Sequence, residues 1–121
     1  MYDAAKNDLA LDIRLMEPED APGVVELYRS VYGEEYPVKA VYDVEGIVRQ
    51  QNSGDMIRII GVTEKGQVLG QTAIYRSCVS NPSLYEEGQG IVLLECRNQG
   101  ILERCMNYGH DQIYPQIMEQ L

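Results

Sequence analysis

The spacing of apolar and polar residues changes along the chain, and each spacing predicts a different element. Alternation over residues 13–16 predicts a short strand. Apolar residues three and four positions apart then predict a helix that opens at the acidic segment 17–20 and stops at Gly33. A second helix is expected at about 43–52, with Asp43 as its candidate N-cap.

The middle of the chain has the pattern of strands. Short β-branched runs at 56–63 and 68–76 are separated by the polar turn 64–67, and together they predict an antiparallel hairpin. A loop is expected at Ser77–Ser83. The segment Gln89–Leu94 predicts another strand, and its nearly continuous apolar run indicates a central strand buried on both faces.

A last helix is predicted from Gly100 to about Tyr108, where Gly109 and Pro115 are expected to end or kink it. The resulting order, β-α-α-β-β-β-α, is typical of an α+β (mixed α/β) fold. The polar start of the chain indicates a leader over residues 1–11. Residues 12–121 are then expected to form a single domain.

Charge and composition exclude several function classes. With 10 Lys and Arg against 19 Asp and Glu, the net charge of −9 repels phosphate backbones and argues against nucleic-acid binding. No apolar run approaches the ~18 residues of a membrane span, so no membrane partner is expected. The polar N-terminus and the three scattered cysteines favour a reducing cytoplasm. Neither the cysteines nor the single histidine predicts a metal site.

The segment with the clearest chemistry joins the predicted strand 91–94 to the last helix. Backbone N–H groups at the start of a helix, with the helix dipole behind them, can bind an anion. Gly100 removes a side chain where a phosphate would approach, and Arg97 adds a fixed positive charge. The alternative interpretation of residues 97–100 is an ordinary surface turn.

This segment resembles the core signature of the GNAT superfamily of acyl-CoA-dependent N-acetyltransferases. The signature has Arg or Gln, two residues, Gly, one residue, and Gly or Ala, and residues 97–101 follow it. Val92 matches the Val that usually lies five residues before the Arg. Leu102 replaces the final small residue, where a bulky side chain is expected to oppose a close approach of the pyrophosphate. Together with the order of elements, the resemblance covers roughly residues 12–108.

The resemblance implies an enzyme that transfers an acetyl group from acetyl-CoA to a small amine or peptide acceptor. The coenzyme A site would then consist of Ile91, Val92, Leu93, Arg97, Asn98, Gln99, Gly100, Ile101 and Leu102. The strand portion would pair with the pantetheine arm and polarise the thioester carbonyl, and the turn would hold the pyrophosphate.

The resemblance also implies a carboxylate on the preceding strand as general base, and Glu86 and Glu87 are the candidates. Their alternative interpretation is a solvated acidic strand end. Tyr114 is a candidate general acid. The acceptor region would be near three tyrosines that could equally be core or surface residues: Tyr32, Tyr36 and Tyr42. Cys96 and Cys105 are interpreted as inert thiols.

GNAT domains continue with further strands that the sequence does not contain. The chain is therefore expected to be an incomplete domain, activity being a property of a longer parent protein, and the open edge of its last strand is expected to pair in a homodimer or with an attached C-terminal domain. The alternative function is a catalytically inactive GNAT-like module that binds a ligand, regulates an attached domain or dimerises.

Overall fold

An antiparallel sheet forms the centre of the molecule, of which the computed structural model describes residues 11–76 and 85–119. Within these residues the spatial order of the strands equals their order in the chain. They are β1 (Asp12–Leu15), β2 (Met56–Val62), β3 (Val68–Arg76) and β4 (Tyr85–Val92). The predicted leader up to residue 10 and the predicted loop at Ser77–Ser83 lie outside the described residues.

Helices cover both faces of this sheet. They are α1 (Ala21–Tyr32), α2 (Val44–Ser53), α3 (Ile101–Tyr108) and α4 (Tyr114–Glu119). Ile101 of α3 packs so closely that an added Cβ at Gly61 or Gly70 would lie 3.3 or 2.8 Å from its Cγ2. Arg58 and Gln71 are on the opposite face, where both reach Tyr28 of α1. The predicted element order and the mixed α/β class are thus confirmed.

The predicted hairpin and both predicted early helices are present. Gly33 ends α1 with φ +60°, and Gly54 ends α2 with φ +79°, both in the left-handed region that favours glycine. Asp43 occupies the N-cap position of α2, but its side chain makes no capping hydrogen bond. Leu11, the last residue of the predicted leader, is buried in the core.

The position predicted for the last strand is wrong. The strand is Tyr85–Val92 rather than Gln89–Leu94, and within the described sheet it is an edge strand paired only with β3. Gly90 is exposed, and the side chain of Leu94 is 55% exposed. The apolar run misled because it crosses from the end of β4 into the 3-10 turn Leu94–Cys96, so it does not indicate one strand buried on both faces.

The last predicted helix ends at Tyr108, as expected, but the chain stays helical beyond it. After α3 the chain forms a π-helical turn at Gly109–Ile113 and enters α4 directly. Pro115 lies in the first turn of α4, just after the wider turn, where its missing N–H is tolerated. Within residues 11–76 and 85–119, every helix is too short or too polar to span a bilayer.

Candidate functional site

A cavity of about 310 Å³ opens where β4 ends and α3 begins. It is lined by Tyr32, Gly90, Ile91, Val92, Cys96, Arg97, Asn98, Gly100, Ile101, Leu102 and Glu103. The end of an edge strand supplies one wall, and the turn that leads into α3 supplies another. The cavity therefore combines exposed main-chain groups with one fixed positive charge.

The turn that enters α3 has an unusual backbone. Asn98 has φ +65° and Gly100 has φ +78°, so two residues of this short turn adopt left-handed conformations. An added Cβ at Gly100 would have no neighbour within 4 Å, which means that the space above this glycine is open. Successive main-chain groups in such conformations form concave surfaces that bind anions.

The first N–H groups of α3 are directed into this region. The first main-chain hydrogen bond of the helix is donated by Arg104 to the carbonyl of Gly100 at 3.0 Å. No side chain caps the N-terminus of α3 in the described part of the chain. The N–H groups of residues 101–103 therefore have no acceptor within the helix, and the positive end of its dipole adds to their attraction for an anion.

Two charged side chains with opposite effects line the cavity. Arg97 is exposed and forms no ion pair within the described residues, so its guanidinium is available to a ligand. Glu103 is in the first turn of α3, where a carboxylate is favourable for the helix but repels a bound anion. The electrostatics of the cavity are thus a balance between Arg97 with the helix terminus and Glu103.

The outer edge of β4 supplies a further donor. Leu93 donates its N–H to the carbonyl of Leu69 at 2.9 Å, and Gly70 faces Val92 in the register of the two strands. In an antiparallel ladder, hydrogen-bonded and non-hydrogen-bonded pairs alternate. The N–H of Val92 consequently points away from β3, toward the free edge beside the cavity.

The chain resembles known proteins in its structure rather than in its sequence. No protein-family model and no curated protein matches the sequence. A GNAT family N-acetyltransferase from Escherichia coli in complex with CoA matches in structure, with TM-score 0.64, 21% identity, and coverage of 92% of this chain and 58% of that chain. This chain therefore spans less than two thirds of the length of the E. coli protein.

Two further structures give the same result. A GNAT family acetyltransferase from Brucella melitensis in complex with acetyl-CoA has TM-score 0.64 and 19% identity, covering 91% of this chain and 70% of that one. An aminoglycoside acetyltransferase from an uncultured soil metagenomic sample, in complex with sisomicin, has TM-score 0.65 and 16% identity, covering 93% and 73%. The chain has the GNAT fold. The fold implied by the sequence resemblance is thereby confirmed.

The GNAT-fold chain brings most of the predicted coenzyme A residues together. All of them line the cavity except Leu93 and Gln99. Leu93 is buried in the core, and its N–H is bonded to β3. Gln99 is half-buried, and its side chain reaches the carbonyl of Glu95 at 3.5 Å. Gly90 and Glu103 also line the cavity although the sequence pattern did not single them out.

The two predicted catalytic carboxylates point to different faces of β4. Glu86 faces Tyr75 and is exposed, whereas Glu87 faces Ile74 on the side of α3. The side chain of Glu87 is 18% exposed, and its Oε2 lies 2.8 Å from Nε2 of His110. Its Oε1 is buried and has no hydrogen-bond partner within the described residues.

Tyr114 is next to this pair. Its ring lies 5.5 Å from that of His110, and burial, followed by the charge of Glu87, raises the pKa of its hydroxyl. The contact of the exposed His110 with Glu87 joins β4 to the π-helical turn. This contact was not predictable because the two residues are 23 positions apart.

The tyrosines near the predicted acceptor region form a ring cluster. Tyr36 lies 4.8 Å from Tyr32 and 5.1 Å from Tyr28, measured between ring centroids. Tyr32 lines the cavity, so this cluster adjoins it. Tyr42 is bonded instead to the loop, where its hydroxyl donates to the carbonyl of Gly33 at 2.7 Å. Cys96 and Cys105 are both buried, and burial raises the pKa of Cys105 to about 12.

Proposed function

We propose that this chain binds acetyl-CoA in the cavity between β4 and α3 and belongs to a protein that transfers the acetyl group to an amine. The observation that carries the proposal is the cavity itself. It joins an open helix N-terminus, the left-handed turn and Arg97 to the free edge of β4. A pyrophosphate matches the first three of these features, and the amide-containing pantetheine arm matches the last.

Each part of the cavity would bind a different part of acetyl-CoA. The turn at 97–100 and the first N–H groups of α3 would hold the pyrophosphate, with Arg97 as a charged clamp. The N–H of Val92 would donate to a carbonyl oxygen of the pantetheine arm or the thioester. Neighbours of known structure crystallised with CoA and with acetyl-CoA have the same fold, which supports this choice of cofactor.

Glu87 is the better of the two candidate bases. Its carboxylate is largely shielded from solvent, is held through Oε2 by His110, and keeps Oε1 available as an acceptor. In the proposed reaction the amine nitrogen attacks the thioester carbon, its proton passes to Glu87 directly or through water, and the coenzyme A thiolate leaves. Glu86 is exposed on the other face of the strand.

Cofactor binding is tested by comparing two glycines of equal conformation. Gly100 and Gly54 have φ of +78° and +79°, and neither has an atom within 4 Å of an added Cβ. Substitution by Ala should therefore destabilise the fold similarly at both positions, by about 1–2 kcal/mol. Only Gly100→Ala should weaken the rise in Tm that acetyl-CoA produces in the unaltered protein. Equal ligand-induced shifts in both variants would remove the site assignment.

Acetyl transfer is tested on a panel of amines that includes an aminoglycoside, a polyamine and a peptide. Glu87→Gln should lower kcat by about 100-fold or more and leave the affinity for CoA unchanged. Glu86→Gln is the matched control, since it makes the same change at the neighbouring exposed position. Equal rates in the two variants would exclude Glu87 as the base. Unchanged CoA binding without transfer would favour a ligand-binding module.

A further inference from the structure

A buried polar cluster lies between α1 and the sheet, on the face opposite α3. Arg58 is 1% exposed, Tyr28 is 1% exposed, and Gln71 is fully buried. Nη1 of Arg58 donates to Oε1 of Gln71 at 2.9 Å and to the hydroxyl of Tyr28 at 3.2 Å. Within the described residues no carboxylate pairs with Arg58 and its buried Nε has no hydrogen-bond partner, so these neutral acceptors offset the buried cation only in part.

Only one assignment of donors and acceptors is consistent with the contacts of this cluster. A guanidinium can only donate, so Gln71 must present its oxygen to Arg58 and its Nε2 to the other side. That Nε2 donates to the hydroxyl of Tyr28 at 3.1 Å and to the main-chain carbonyl of Gln89 at 2.8 Å. The hydroxyl of Tyr28 uses its single hydrogen on Oε1 of Gln89 at 2.9 Å. The cluster therefore ends on Gln89.

Gln89 is held through both its main chain and its side chain. Its φ of +53° lies in the left-handed region, where a residue with a side chain needs support from its surroundings. Burial raises the pKa of Tyr28 and outweighs the opposite effect of Arg58, so the hydroxyl, protonated at neutral pH in any case, remains a donor. The hydrogen bond from Gln71 thus holds the main-chain carbonyl of Gln89, and the one from Tyr28 holds its side chain.

Gln89 is the site of a bulge that sets the register of β4. Ala73 faces Gly88, but Gln71 faces Ile91, so Gln89 and Gly90 together oppose the single residue Thr72. Without the extra residue, Leu69 would face Val92 instead of Leu93. The N–H of Val92 would then be consumed by β3 rather than directed to the cavity.

We propose that Arg58, Gln71 and Tyr28 are positioning residues of the acyl-CoA site. By holding Gln89 in its left-handed conformation, they keep the bulge in place and so present the N–H of Val92 to a carbonyl oxygen of the bound acyl-CoA. The identity of the ligand in this inference rests on the proposed function. The direction of the Val92 N–H rests on the register of β4 alone.

Gln71→Glu separates this role from simple stabilisation. The new carboxylate still accepts from Arg58 and adds a counter-charge, but it cannot donate to Gln89. We expect the affinity for CoA, measured calorimetrically, to fall about tenfold, the equivalent of one good hydrogen bond. Gln67→Glu is the matched control, because it makes the same substitution at an exposed position in the β2–β3 turn. It should bind CoA as the unaltered protein does.

Rescue by glycine gives the decisive comparison. Glycine adopts a left-handed conformation without support. Gln89→Gly, added to Gln71→Glu, should therefore recover most of the lost CoA affinity, whereas a purely structural defect would not be repaired by removing another side chain. Tyr28→Phe with and without Gln89→Gly repeats the comparison should Gln71→Glu fail to fold. Undiminished affinity in the single variants, or no recovery with glycine, would overturn the proposal.

Amide hydrogen exchange distinguishes this inference from the proposed function. If the unaltered protein does not bind CoA, the proposed function fails, but exchange at Val92 still reports the register. In the unaltered protein, at a concentration low enough for it to be monomeric, this amide should exchange quickly, because it points to the free edge of β4. In Gln71→Glu it should become protected as the bulge is lost. The same fast exchange in both proteins would show that the cluster does not hold the bulge.

Discussion

Leu102 covers Gly90 so closely that a Cβ added to the glycine would lie 3.0 Å from Cδ1 and 3.1 Å from Cδ2 of the leucine. Leu102 is the residue that departs from the GNAT signature. Its bulk is accommodated by the absence of a side chain on the neighbouring strand. The departure in α3 and the glycine in β4 are thus a complementary pair.

Gly90→Ala should destabilise the protein by up to about 1 kcal/mol, because the new methyl group must displace the end of the half-buried Leu102 side chain by a few tenths of an ångström. Adding Leu102→Ala should relieve the overlap, so that the double variant is more stable than the sum of the single effects predicts. Urea unfolding of the four proteins measures the coupling. Strict additivity would mean that the two residues do not interact.

Leu102→Ala alone restores the small residue of the signature. We expect it to tighten CoA binding by about 1 kcal/mol, or roughly fivefold, since it enlarges the cavity that Leu102 lines. The lost packing should cost about 1–2 kcal/mol of stability because the side chain is only half-buried. Calorimetric titration with CoA checks the affinity. Weaker binding would indicate that Leu102 itself contacts the ligand.

Glu103→Gln should raise the affinity for CoA about two- to fivefold at low salt, and the gain should fade as salt screens the repulsion. The variant should also lose about 0.3–1 kcal/mol of stability, because a carboxylate in the first turn favours the helix. Glu45→Gln in the first turn of α2 is the control, with a similar loss of stability and no change in CoA binding. An equal change of CoA affinity in Glu103→Gln and Glu45→Gln would mean that the effect comes from the net charge of the protein.

Asp20 should make the stability depend on pH. Burial by itself would raise the pKa of this carboxyl, but hydrogen bonds from Arg14 and from the main-chain N–H of Glu17 outweigh it and hold the pKa below its usual value. The stabilisation of the folded protein by the Asp20 carboxylate is therefore complete above the pKa of about 4 that this group has in the unfolded chain. It is lost as the pH falls through the lower pKa that the group has in the folded protein.

Asp20→Asn should therefore be less stable by about 1–3 kcal/mol at pH 7, with a difference that shrinks below about pH 4. Asp12→Asn is a suitable comparison, because Asp12 pairs with the same Arg14 at 3.2 Å but is 66% exposed. An exposed pair contributes about 0–1 kcal/mol. Thermal unfolding from pH 3 to 7 tests both variants. A pH-independent difference for Asp20→Asn would contradict the assigned pKa direction.

The free edge of β4 predicts self-association of the 121-residue chain. Main-chain groups that point away from β3 can pair with a second copy, and the exposed side chain of Leu94 lies just beyond the strand. Sedimentation equilibrium at micromolar concentration should show a dimer. Leu94→Lys should shift the equilibrium to the monomer, because a charge at a strand edge opposes pairing. A monomer without concentration dependence in the unaltered chain would contradict this prediction.

The sequence was most informative where the site is local. All of the predicted coenzyme A residues come from the continuous segment 91–102, in which a strand end, a turn and a helix start follow one another, and most of them line the cavity. Their meeting at one cavity follows from chain connectivity alone. The element order was predictable for a similar reason, since each helix and strand has its own periodicity and terminators.

The polar cluster under β4 was not predictable. Its members come from four different elements: Tyr28 from α1, Arg58 from β2, Gln71 from β3 and Gln89 from β4. The pattern within a single strand identifies an inward position but does not reveal which partners will compensate a buried cation there. The bulge at Gln89 could not be predicted from the sequence for the same reason, because the contacts that support it are made across the sheet.

The π-helical turn at Gly109–Ile113 compensates for a mismatch between the spacing of the buried residues and the repeat of an α-helix. The buried positions from α3 onward are Ile101, Cys105, Gly109, Ile113 and Ile117, at a constant interval of four. In an α-helix of 3.6 residues per turn, each such step would rotate the buried position by about 40° around the axis. The wider π turn rotates it back by a similar angle. One turn of different pitch thus keeps the buried positions of two α segments in the same core.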